Sequence, residues 1–310
     1  MKKFTAILFM IFSTVLLAFS NSQEINGVKY NFKFDKVPRK AVSMSQFTTE
    51  MMLKLGLKDN MAGTAFLEEE IYPSVAKDYN EVPVIADKWP SLEGLLAVEP
   101  DFVTGWEVAL KKGVDSKMIA KNNINMFVPK SSIDFNADLN TLFDDFLMFG
   151  KIFNKEKEAQ AYVDSEKTRV QEIMKNVENK KQFTYFIYDS GTDKAFTVFE
   201  GFTPNLLKLI NGKNILSGKG VKKTWGETSW EPVIEADPDY FIIVDYSKGI
   251  REETDSDSKI RAIKANPKLN KLKAVKNDKF IRVKLAEIVP GIRNVDFFEK
   301  VAKEVYSANE

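Results

Sequence analysis

Large aromatic side chains stand where short apolar runs of this sequence end and the next segment begins. All four tryptophans occupy such junctions, at Trp89, Trp106, Trp225 and Trp230. A tryptophan ring offers a broad apolar face and one polar N–H, so a flat, partly apolar ligand can stack on it. Trp106 and Trp225 are the stronger candidates for ligand contact. For Trp89 and Trp230, packing against the starts of their helices is an equal alternative, and Trp89 is kept as a candidate contact.

Two cations at junctions are suited to an anionic ligand. Arg293 lies in the segment PGIRN, just before a predicted terminal helix. There a fixed guanidinium and a helix N-terminus would together bind a carboxylate or another anion. Lys130 is a second candidate, which would neutralise the same ligand from the other half of the chain. For both residues the alternative is an ordinary solvated side chain at the surface.

The composition removes whole classes of chemistry. The chain contains neither histidine nor cysteine, which excludes a Ser-His-Asp triad, thiol catalysis, disulfides and metal ligation by imidazole. A secreted hydrolase would need a carboxylate pair such as Glu107 and Glu200, and nothing places them about 5 Å or about 9 Å apart. With 45 basic and 44 acidic residues and no basic stripe, nucleic-acid binding is not expected. We expect a protein that is not an enzyme and that has no cofactor and no metal site of its own.

The elements that must position these residues alternate between short apolar runs and amphipathic stretches, the pattern of an α/β fold with parallel strands. In 310 residues with 44% hydrophobic content, two lobes of ordinary size are expected. The predicted boundaries are 23–153 for the first lobe, 154–181 for a connecting helix rich in helix-forming residues, and 182–310 for the second lobe.

Parallel strands place their carboxyl ends at one edge of each sheet, and the loops that leave this edge build a crevice. This arrangement adds four polar and aromatic side chains to the candidate ligand contacts. They are Gln46, Phe66, Glu200 and Tyr246.

A short internal repeat supports two related lobes. The segment SLEGLLAVEPDFV from Ser91 aligns without gaps to SWEPVIEADPDYF from Ser229, at an offset of 138 positions. In both copies serine stands where a helix N-cap would, glutamate lies in the first turn, and Pro-Asp precedes an apolar strand. The alternative is that these helix-start and strand-start residues recur in any α/β protein, whether or not its two halves are related.

The amino-terminal segment 1–22 has the composition of a secretory signal peptide. Two lysines precede an uncharged apolar run that is short for a membrane span of roughly 20 residues, and small residues follow it. Cleavage is expected after Ser20 or Ser22, and a retained anchor is the alternative. Because a lipoprotein requires a cysteine to carry its lipid, the sequence predicts a freely diffusing periplasmic protein that is not a lipoprotein.

Several segments together resemble the periplasmic solute-binding proteins of bacterial ABC importers that serve ferric siderophores, haem and vitamin B12. They are VSMSQFTTEMMLKLGL, PSLEGLLAVEPDFVTGW, TSWEPVIEADPDYFIIV, NPKLNKLKAVKNDKFIRV and the long helix between the lobes. The resemblance spans residues 25–306. It implies two Rossmann-like lobes joined by one rigid helix, a monomer, a small-molecule ligand in the interlobe cleft and a membrane permease as partner.

The resemblance also implies roles for particular residues. Glu93 and Glu231, the glutamates of the repeat, match the positions that dock to arginines of the permease. A ferric chelate carrying negative charge is the favoured ligand, since Arg293, Lys130 and the aromatic residues suit one. A corrinoid is the alternative that Trp89 and Trp106 would support. Haem is the other alternative and, without histidine, would need a tyrosine ligand such as Tyr188 or Tyr246.

Overall fold

The computed structural model describes residues 18–246 and 255–307. Within these ranges the chain forms two α/β lobes, each built around a parallel sheet, with a long helix between them. The predicted fold class, two Rossmann-like lobes with central parallel sheets joined by one long helix, is confirmed. Residues 1–17 of the predicted signal peptide lie outside the described residues.

The first lobe begins with an antiparallel hairpin that was not among the predicted elements. Strand β1 (Phe19–Ile25) pairs with β2 (Val28–Phe34). Both residues of the turn, Asn26-Gly27, have positive φ angles, 51° and 76°, which is the conformation that Asn-Gly favours in two-residue hairpins. Alternate side chains of each strand are exposed, as in a ribbon with one face in water.

Strand β1 overlaps the predicted signal segment 1–22, and the hairpin is anchored to the lobe at two points. Val128 donates its backbone N–H to the Gln23 side chain at 2.9 Å, and Asn26 donates its N–H to the Glu107 carboxylate at 2.7 Å. Both anchors follow the predicted cleavage positions. Cleavage at either position therefore leaves them in the mature chain.

The central sheet of the first lobe is entirely parallel, with strand order β5-β4-β3-β6-β7. Its strands are β3 (Ala41–Ser43), β4 (Met61–Ala65), β5 (Val84–Ala86), β6 (Phe102–Thr104) and β7 (Asn125–Phe127). The helices around it are α1 (Gln46–Lys54), α2 (Ala76–Tyr79), α3 (Leu92–Leu96) and α4 (Ser116–Lys121). Single 3-10 turns lie at Lys58–Asn60 and Lys130–Ser132, and a π-helical turn lies at Ala109–Gly113.

Two antiparallel helices, α5 (Leu139–Phe153) and α6 (Glu156–Val177), lead from the first lobe to the second. Asp138 caps α5 by accepting the Thr141 N–H at 2.9 Å, and Asn154 ends it in the left-handed conformation. The long helix between the lobes is the 22-residue helix α6, about 33 Å long at 1.5 Å per residue.

The second lobe contains a parallel sheet of order β10-β8-β12-β13 and a separate antiparallel pair, β9 and β11. The strands are β8 (Phe183–Tyr188), β9 (Ala195–Val198), β10 (Gly212–Asn214), β11 (Trp225–Thr228), β12 (Tyr240–Asp245) and β13 (Phe280–Lys284). The helices are α7 (Phe202–Lys208), α8 (Glu231–Ala236), α9 (Ser256–Ala265), α10 (Lys273–Lys276), α11 (Leu285–Ile288) and α12 (Asn294–Tyr306). Strand β12 is buried along nearly its whole length, as expected for the centre of a parallel sheet.

One contiguous apolar core runs through both lobes. It includes side chains of the first sheet, such as Val103, of the helices α5 and α6, such as Phe149 and Val163, and of the second lobe, such as Tyr185 and Phe298. Helix α6 packs against both α5 and α12. Because the core is shared, the lobes are held together by hydrophobic packing as well as by the chain.

The sequence repeat corresponds to a structural repeat. Glu99 and Asp237, which lie at equivalent positions, both have left-handed φ angles, 50° and 41°. Two residues later, the carboxylate of Asp101 accepts the Lys40 N–H and that of Asp239 accepts the Thr184 N–H, at 3.0 and 2.6 Å. Each aspartate therefore fixes the start of the neighbouring parallel strand in its own lobe.

The repeat differs at the predicted serine caps. Ser91 accepts the Gly94 N–H at 3.1 Å and caps α3 as predicted. Ser229 does not cap α8, which begins one residue later, at Glu231, without a side-chain cap. The reason is that Pro232 replaces Gly94 in the second copy, and proline has no N–H to donate.

The contact between α5 and α6 depends on a residue without a side chain. A Cβ atom at Gly150 would lie 2.6 Å from the Cβ of Ala159 and 3.1 Å from the backbone oxygen of Lys155. We expect Gly150→Ala to lower the free energy of unfolding by roughly 1–3 kcal/mol, because the helices must separate to admit the methyl group. Urea denaturation measures this, with Gly94→Ala as control, where the nearest atom is 3.5 Å away. Equal midpoints for the two variants would contradict the packing described.

Candidate ligand-binding site

The first lobe presents an aromatic wall, defined as Phe66, Trp89 and Trp106, in the loops that leave the carboxyl edge of its sheet. Phe66 follows β4 with a positive φ of 60° and stacks on Trp89, with ring centroids 4.8 Å apart. Trp106 follows β6 and packs on Phe47 at 4.3 Å. All three rings of the wall remain partly exposed. The sequence-predicted contacts Phe66, Trp89 and Trp106 are therefore available to a ligand on this lobe.

Hydrogen bonds orient the wall. The indole N–H of Trp106 donates to the Glu68 carboxylate at 3.3 Å. The Trp89 indole N–H is buried and has no hydrogen-bond partner among the described residues. Trp89 also lies against Gly113: a Cβ atom added at Gly113 would lie only 2.6 Å from the Cβ atom of Trp89. Trp89 therefore packs against the lobe, as one alternative predicted, and its partly exposed ring also forms part of the wall. Its contact with a ligand stays a prediction.

Gln46 was predicted to contact ligand, but its amide is fully used inside the first lobe. Its oxygen accepts the backbone N–H groups of Glu68 and Glu69 at 2.9 and 2.8 Å, and its nitrogen donates to Glu50 at 3.0 Å. The side chain is 1% exposed. Gln46 thus holds the loop after β4 in place, and the candidate role of direct ligand contact is not supported by its position.

Arg293 does not form the predicted anion site. It is buried, and its guanidinium reaches across to the first lobe, where it donates to Glu50 at 3.0 Å, to Glu69 at 2.7 Å and to the Glu70 backbone oxygen at 2.7 Å. It also lies over the Tyr72 ring, 5.3 Å from its centroid. Because two buried carboxylates already neutralise it, Arg293 joins the lobes and has no charge left for a ligand anion.

Lys130 is exposed and lies beside the edge strand β7. Its backbone N–H donates to the buried Asp145 carboxylate at 2.8 Å, and its ammonium lies 3.6 Å from Asp134. The side chain is 67% exposed. Lys130 and Arg293 share no contact residue, since Lys130 pairs with Asp134 and Asp145 and Arg293 with Glu50, Glu69 and Glu70.

The second lobe contributes Trp225 and Glu200 as partly exposed candidates. Trp225 begins β11 and stacks on Phe196 of β9, with centroids 5.9 Å apart and planes within 15°. Glu200 accepts the Gly218 N–H at 2.6 Å. Trp225 and Phe196 form the second aromatic surface, on the other lobe from the aromatic wall.

The candidate tyrosines of the second lobe are buried and their hydroxyl groups are occupied. Tyr188 donates to the Gly191 backbone oxygen at 2.5 Å and packs on Trp230 at 5.4 Å. Tyr246 donates to the Asp189 carboxylate. Burial raises the pKa of the Tyr188 hydroxyl further above its ordinary value, which opposes formation of the phenolate that ligates haem iron. Trp230 itself is buried, and its indole N–H donates to the Thr192 oxygen at 2.7 Å, so its role is packing.

Glu93 and Glu231, the proposed docking residues, lie at equivalent exposed positions in the first turns of α3 and α8. A hydrogen bond from Ser229 lowers the pKa of Glu231. Each lobe therefore presents one exposed carboxylate in the first turn of a short helix, α3 after strand β5 and α8 after strand β11.

Catalytic and metal-binding alternatives find no support in the described residues. Glu107 accepts the Asn26 N–H and Glu200 accepts the Gly218 N–H, so both carboxylates of the supposed hydrolase pair have structural partners. Within 18–246 and 255–307 there is no group of three or more acidic side chains placed to hold a metal ion. In the same ranges no helix is both long and apolar enough to span a membrane.

The residues missed in the sequence are those that surround Arg293. Glu50 is 2% exposed and Glu69 is 6% exposed, and Tyr72 donates its hydroxyl to Asp296 of α12. A signal was present, because Glu50 is the only charged residue between Ala41 and Leu53, and an acid in a run that packs into the core requires a cation. The sequence did not indicate that the cation would come from the other lobe.

Two parallel-sheet lobes, each with a partly exposed aromatic surface, define the class of a two-lobed solute-binding protein. A family profile described as periplasmic binding protein matches residues 42–285. The chain belongs to this family. Its members bind solutes and are not enzymes, which confirms the expectation from composition.

Individual relatives agree with this assignment. A crystal structure of a periplasmic binding protein from Veillonella parvula is 44% identical, covers 94% of this chain and 99% of its own, and has a TM-score of 0.91. A structure described as an ABC-type Fe3+-hydroxamate transport system, from Saccharomonospora viridis, is 20% identical, with 92% and 99% coverage and a TM-score of 0.73. Haem-binding and vitamin B12-binding periplasmic proteins of Vibrio cholerae share the fold at 18% and 16% identity.

A curated relative from Bacillus subtilis (strain 168) corrects one expectation. It is an uncharacterized ABC transporter substrate-binding lipoprotein, 25% identical over 235 residues, which are 74% of this chain and 71% of the relative. The chain is thus the substrate-binding component of an ABC transporter, with an extracytoplasmic role. The prediction that it is not a lipoprotein is contradicted by this relative. That prediction depended on the absence of a single residue type, which does not establish how a receptor is retained at a membrane.

The buried carboxylate of Glu69 makes stability depend on pH. Burial raises its pKa from 4.5 to about 7, although Arg293 opposes the shift. A folded-state pKa above the unfolded value gives stability that is complete below about pH 4.5 and is lost as pH rises through about 7. We expect the wild type to lose stability between pH 5 and pH 8 relative to Glu69→Gln, which carries no titrating proton.

Thermal unfolding of the two proteins at pH 5, 6, 7 and 8 measures this difference. Asp145 has a pKa raised to about 6 by burial and titrates in both proteins, so its effect cancels. The exposed Glu235→Gln serves as control. A difference between wild type and Glu69→Gln that is constant over this pH range would show that Glu69 does not titrate there.

Proposed function

We propose that this substrate-binding component captures a ferric chelate of the siderophore type between its lobes and delivers it to the membrane permease of an ABC importer. The observation that carries the proposal is the pair of partly exposed aromatic surfaces, one on each lobe. The aromatic wall lies on the first lobe, and Trp225 with Phe196 lies on the second. Two such surfaces can hold a ligand with apolar outer faces by stacking and burial of apolar area.

The metal would arrive inside its chelator. The chain has no histidine or cysteine, and the described residues hold no cluster of carboxylates fit for a metal ion. Iron(III) bound by the protein itself would need several oxygen or nitrogen ligands from side chains. A chelate that already satisfies the metal needs no ligand atoms from the protein, and apolar contact with the aromatic surfaces would be enough to hold it.

The neutralised Arg293 removes the main reason for expecting a negatively charged ligand. With its guanidinium held between Glu50 and Glu69, selection would depend on shape and aromatic contact more than on charge. A hydroxamate chelate, the class named for the Saccharomonospora viridis protein, fits this requirement. A corrinoid or haem is the alternative, although the occupied hydroxyl groups of Tyr188 and Tyr246 weaken haem ligation.

Docking to the permease would use Glu93 and Glu231. Both are exposed, both lie in the first turn of a short helix, and they are related by the repeat. Carboxylates at the rim of an interface act mainly on association and register. In this proposal one monomeric receptor places one carboxylate from each lobe against the two halves of the permease.

Ligand binding is tested by tryptophan fluorescence of the purified protein, titrated with ferric hydroxamates, ferric catecholates, haem, cobalamin and the iron-free chelators. We expect saturable quenching by a ferric chelate. Trp225→Ala should weaken binding by more than tenfold, about 1.4 kcal/mol, because one aromatic surface is lost. Trp230→Phe is the control, since Trp230 is buried away from the aromatic surfaces. If only haem or cobalamin saturates the protein, that ligand replaces the ferric chelate in the proposal. If no probe gives a response, the proposed ligand class is refuted.

Docking is tested with the double variant Glu93→Ala/Glu231→Ala in proteoliposomes that contain the permease. We expect transport to fall by at least tenfold while ligand affinity is unchanged, because the two carboxylates contact the permease and not the ligand. The control is Glu235→Ala/Glu178→Ala, which removes two other exposed glutamates, one of them in α8 itself. Equal transport by both double variants would exclude Glu93 and Glu231 from docking.

A further inference from the structure

The segment Phe66–Tyr72, here named the wall loop, positions the aromatic wall of the first lobe. Phe66 at its start stacks on Trp89. Glu68 within it accepts the Trp106 indole N–H at 3.3 Å. A displacement of the wall loop would therefore move or release all three rings of the wall.

The first lobe holds the wall loop from one side through α1. Gln46 accepts the N–H groups of Glu68 and Glu69, and Glu50 accepts the Tyr72 N–H at 3.0 Å. These three bonds satisfy the backbone N–H groups of Glu68, Glu69 and Tyr72. Since the loop has no regular hydrogen bonding of its own, such side chains determine its path.

The second lobe holds the wall loop from the opposite side through the start of α12. Arg293 donates to the Glu70 backbone oxygen at 2.7 Å and to the Glu69 carboxylate at 2.7 Å, and Asp296 accepts the Tyr72 hydroxyl. Arg293 also binds Glu50, which itself accepts from the loop. One guanidinium thus contacts both the loop and the helix that braces it.

We propose that Arg293 is a positioning residue for ligand binding, which fixes the wall loop from the opposite lobe and so couples the aromatic wall to the relative placement of the lobes. The proposal rests on the proposed ligand site. Arg293 touches no ligand in this arrangement. It sets the geometry of Phe66 and Trp106, and it limits variation in the distance between Glu93 and Glu231.

The bidentate geometry explains why arginine is used here. The guanidinium donates from Nε and Nη2 to the two oxygens of Glu50 and from Nη1 to Glu69. A planar fork fixes direction as well as distance, whereas a lysine ammonium would retain the charge but lose the parallel bonds. Arg293→Lys therefore separates the effect of charge from the effect of orientation.

The first experiment needs no ligand. Hydrogen–deuterium exchange of the wild type, Arg293→Lys and Arg293→Ala is compared over peptides covering 66–72 and 183–188. We expect at least tenfold faster exchange in the wall loop of both variants, with little change in strand β8. The control is Arg282→Ala, which removes an exposed arginine of the second lobe paired with Asp257 at 2.7 Å. Unchanged exchange in the wall loop, or equal acceleration throughout the chain, would overturn the positioning role.

The second experiment measures the placement of the lobes. The chain has no cysteine, so nitroxide labels can be attached only at Glu93→Cys and Glu231→Cys. Pulsed electron paramagnetic resonance then measures the distribution of distances between these two labels. We expect a distribution that is narrow with Arg293 and clearly broader with Arg293→Lys, and an Arg282→Ala background that retains the narrow distribution. If Arg293→Ala fails to fold, Arg293→Lys decides the outcome. Equal widths with arginine and lysine would refute the coupling between lobes.

The third experiment tests whether the positioning of the wall loop by Arg293 affects ligand affinity. Ferric hydroxamate is titrated against wild type, Arg293→Lys and Arg282→Ala, and we expect Arg293→Lys alone to weaken binding by at least fivefold. Unchanged affinity together with a loosened wall loop would overturn the role in binding. If the wild type binds no chelate, the proposed ligand is wrong, while the exchange and distance measurements still decide whether Arg293 positions the wall loop.

Discussion

The guanidinium of Arg293, enclosed by the carboxylates of Glu50 and Glu69, is the interaction through which the two lobes share one polar network. Removing both partners from water is costly, and the cost is recovered only when every donor and acceptor is used. Here Arg293 binds two carboxylates and a backbone oxygen, but the Oε2 atom of Glu69 has no hydrogen-bond partner among the described residues, so this condition is not fully met. Such an arrangement contributes a unique geometry more than it contributes stability, because a displaced guanidinium would leave the buried carboxyl groups of Glu50 and Glu69 without their shared hydrogen-bond donor.

The apolar core explains why this network can be geometrically exact at a lobe boundary. Helix α6 packs on α5 and α12, and the same core cluster contains side chains of both sheets. Two lobes tied by a shared core move less than lobes joined by flexible strands. Arg293 and Asp296 lie at the start of α12, and Arg169 of α6 donates to Asp296 at 2.6 Å. The connecting helix, the terminal helix and the wall loop are consequently linked by consecutive hydrogen bonds.

Much of the fold could be predicted because it depends on local patterns. Alternating apolar runs predicted the parallel sheets, a long polar stretch predicted a helix between the lobes, and the repeat from Ser91 and Ser229 predicted equivalent strands directly after Asp101 and Asp239. The Asn26-Gly27 hairpin was missed although its turn residues are a strong local signal. Its strand β1 overlaps the apolar signal segment, and that assignment concealed the alternation.

The candidate site was predicted only in part, for a physical reason. Trp106 follows the end of strand β6 and Trp225 begins strand β11, and strand boundaries of this kind can be read from sequence. The partner of a buried charged residue cannot be read from sequence in this way, because Glu50 and Arg293 are 243 positions apart in the chain. A residue that follows a strand or precedes a helix is therefore equally placed to bind a ligand or to brace the loop that does. Gln46 and Arg293 took the second role because each has enough donors or acceptors to satisfy several buried groups at once, and a ligand could not replace those bonds without unfolding the wall loop.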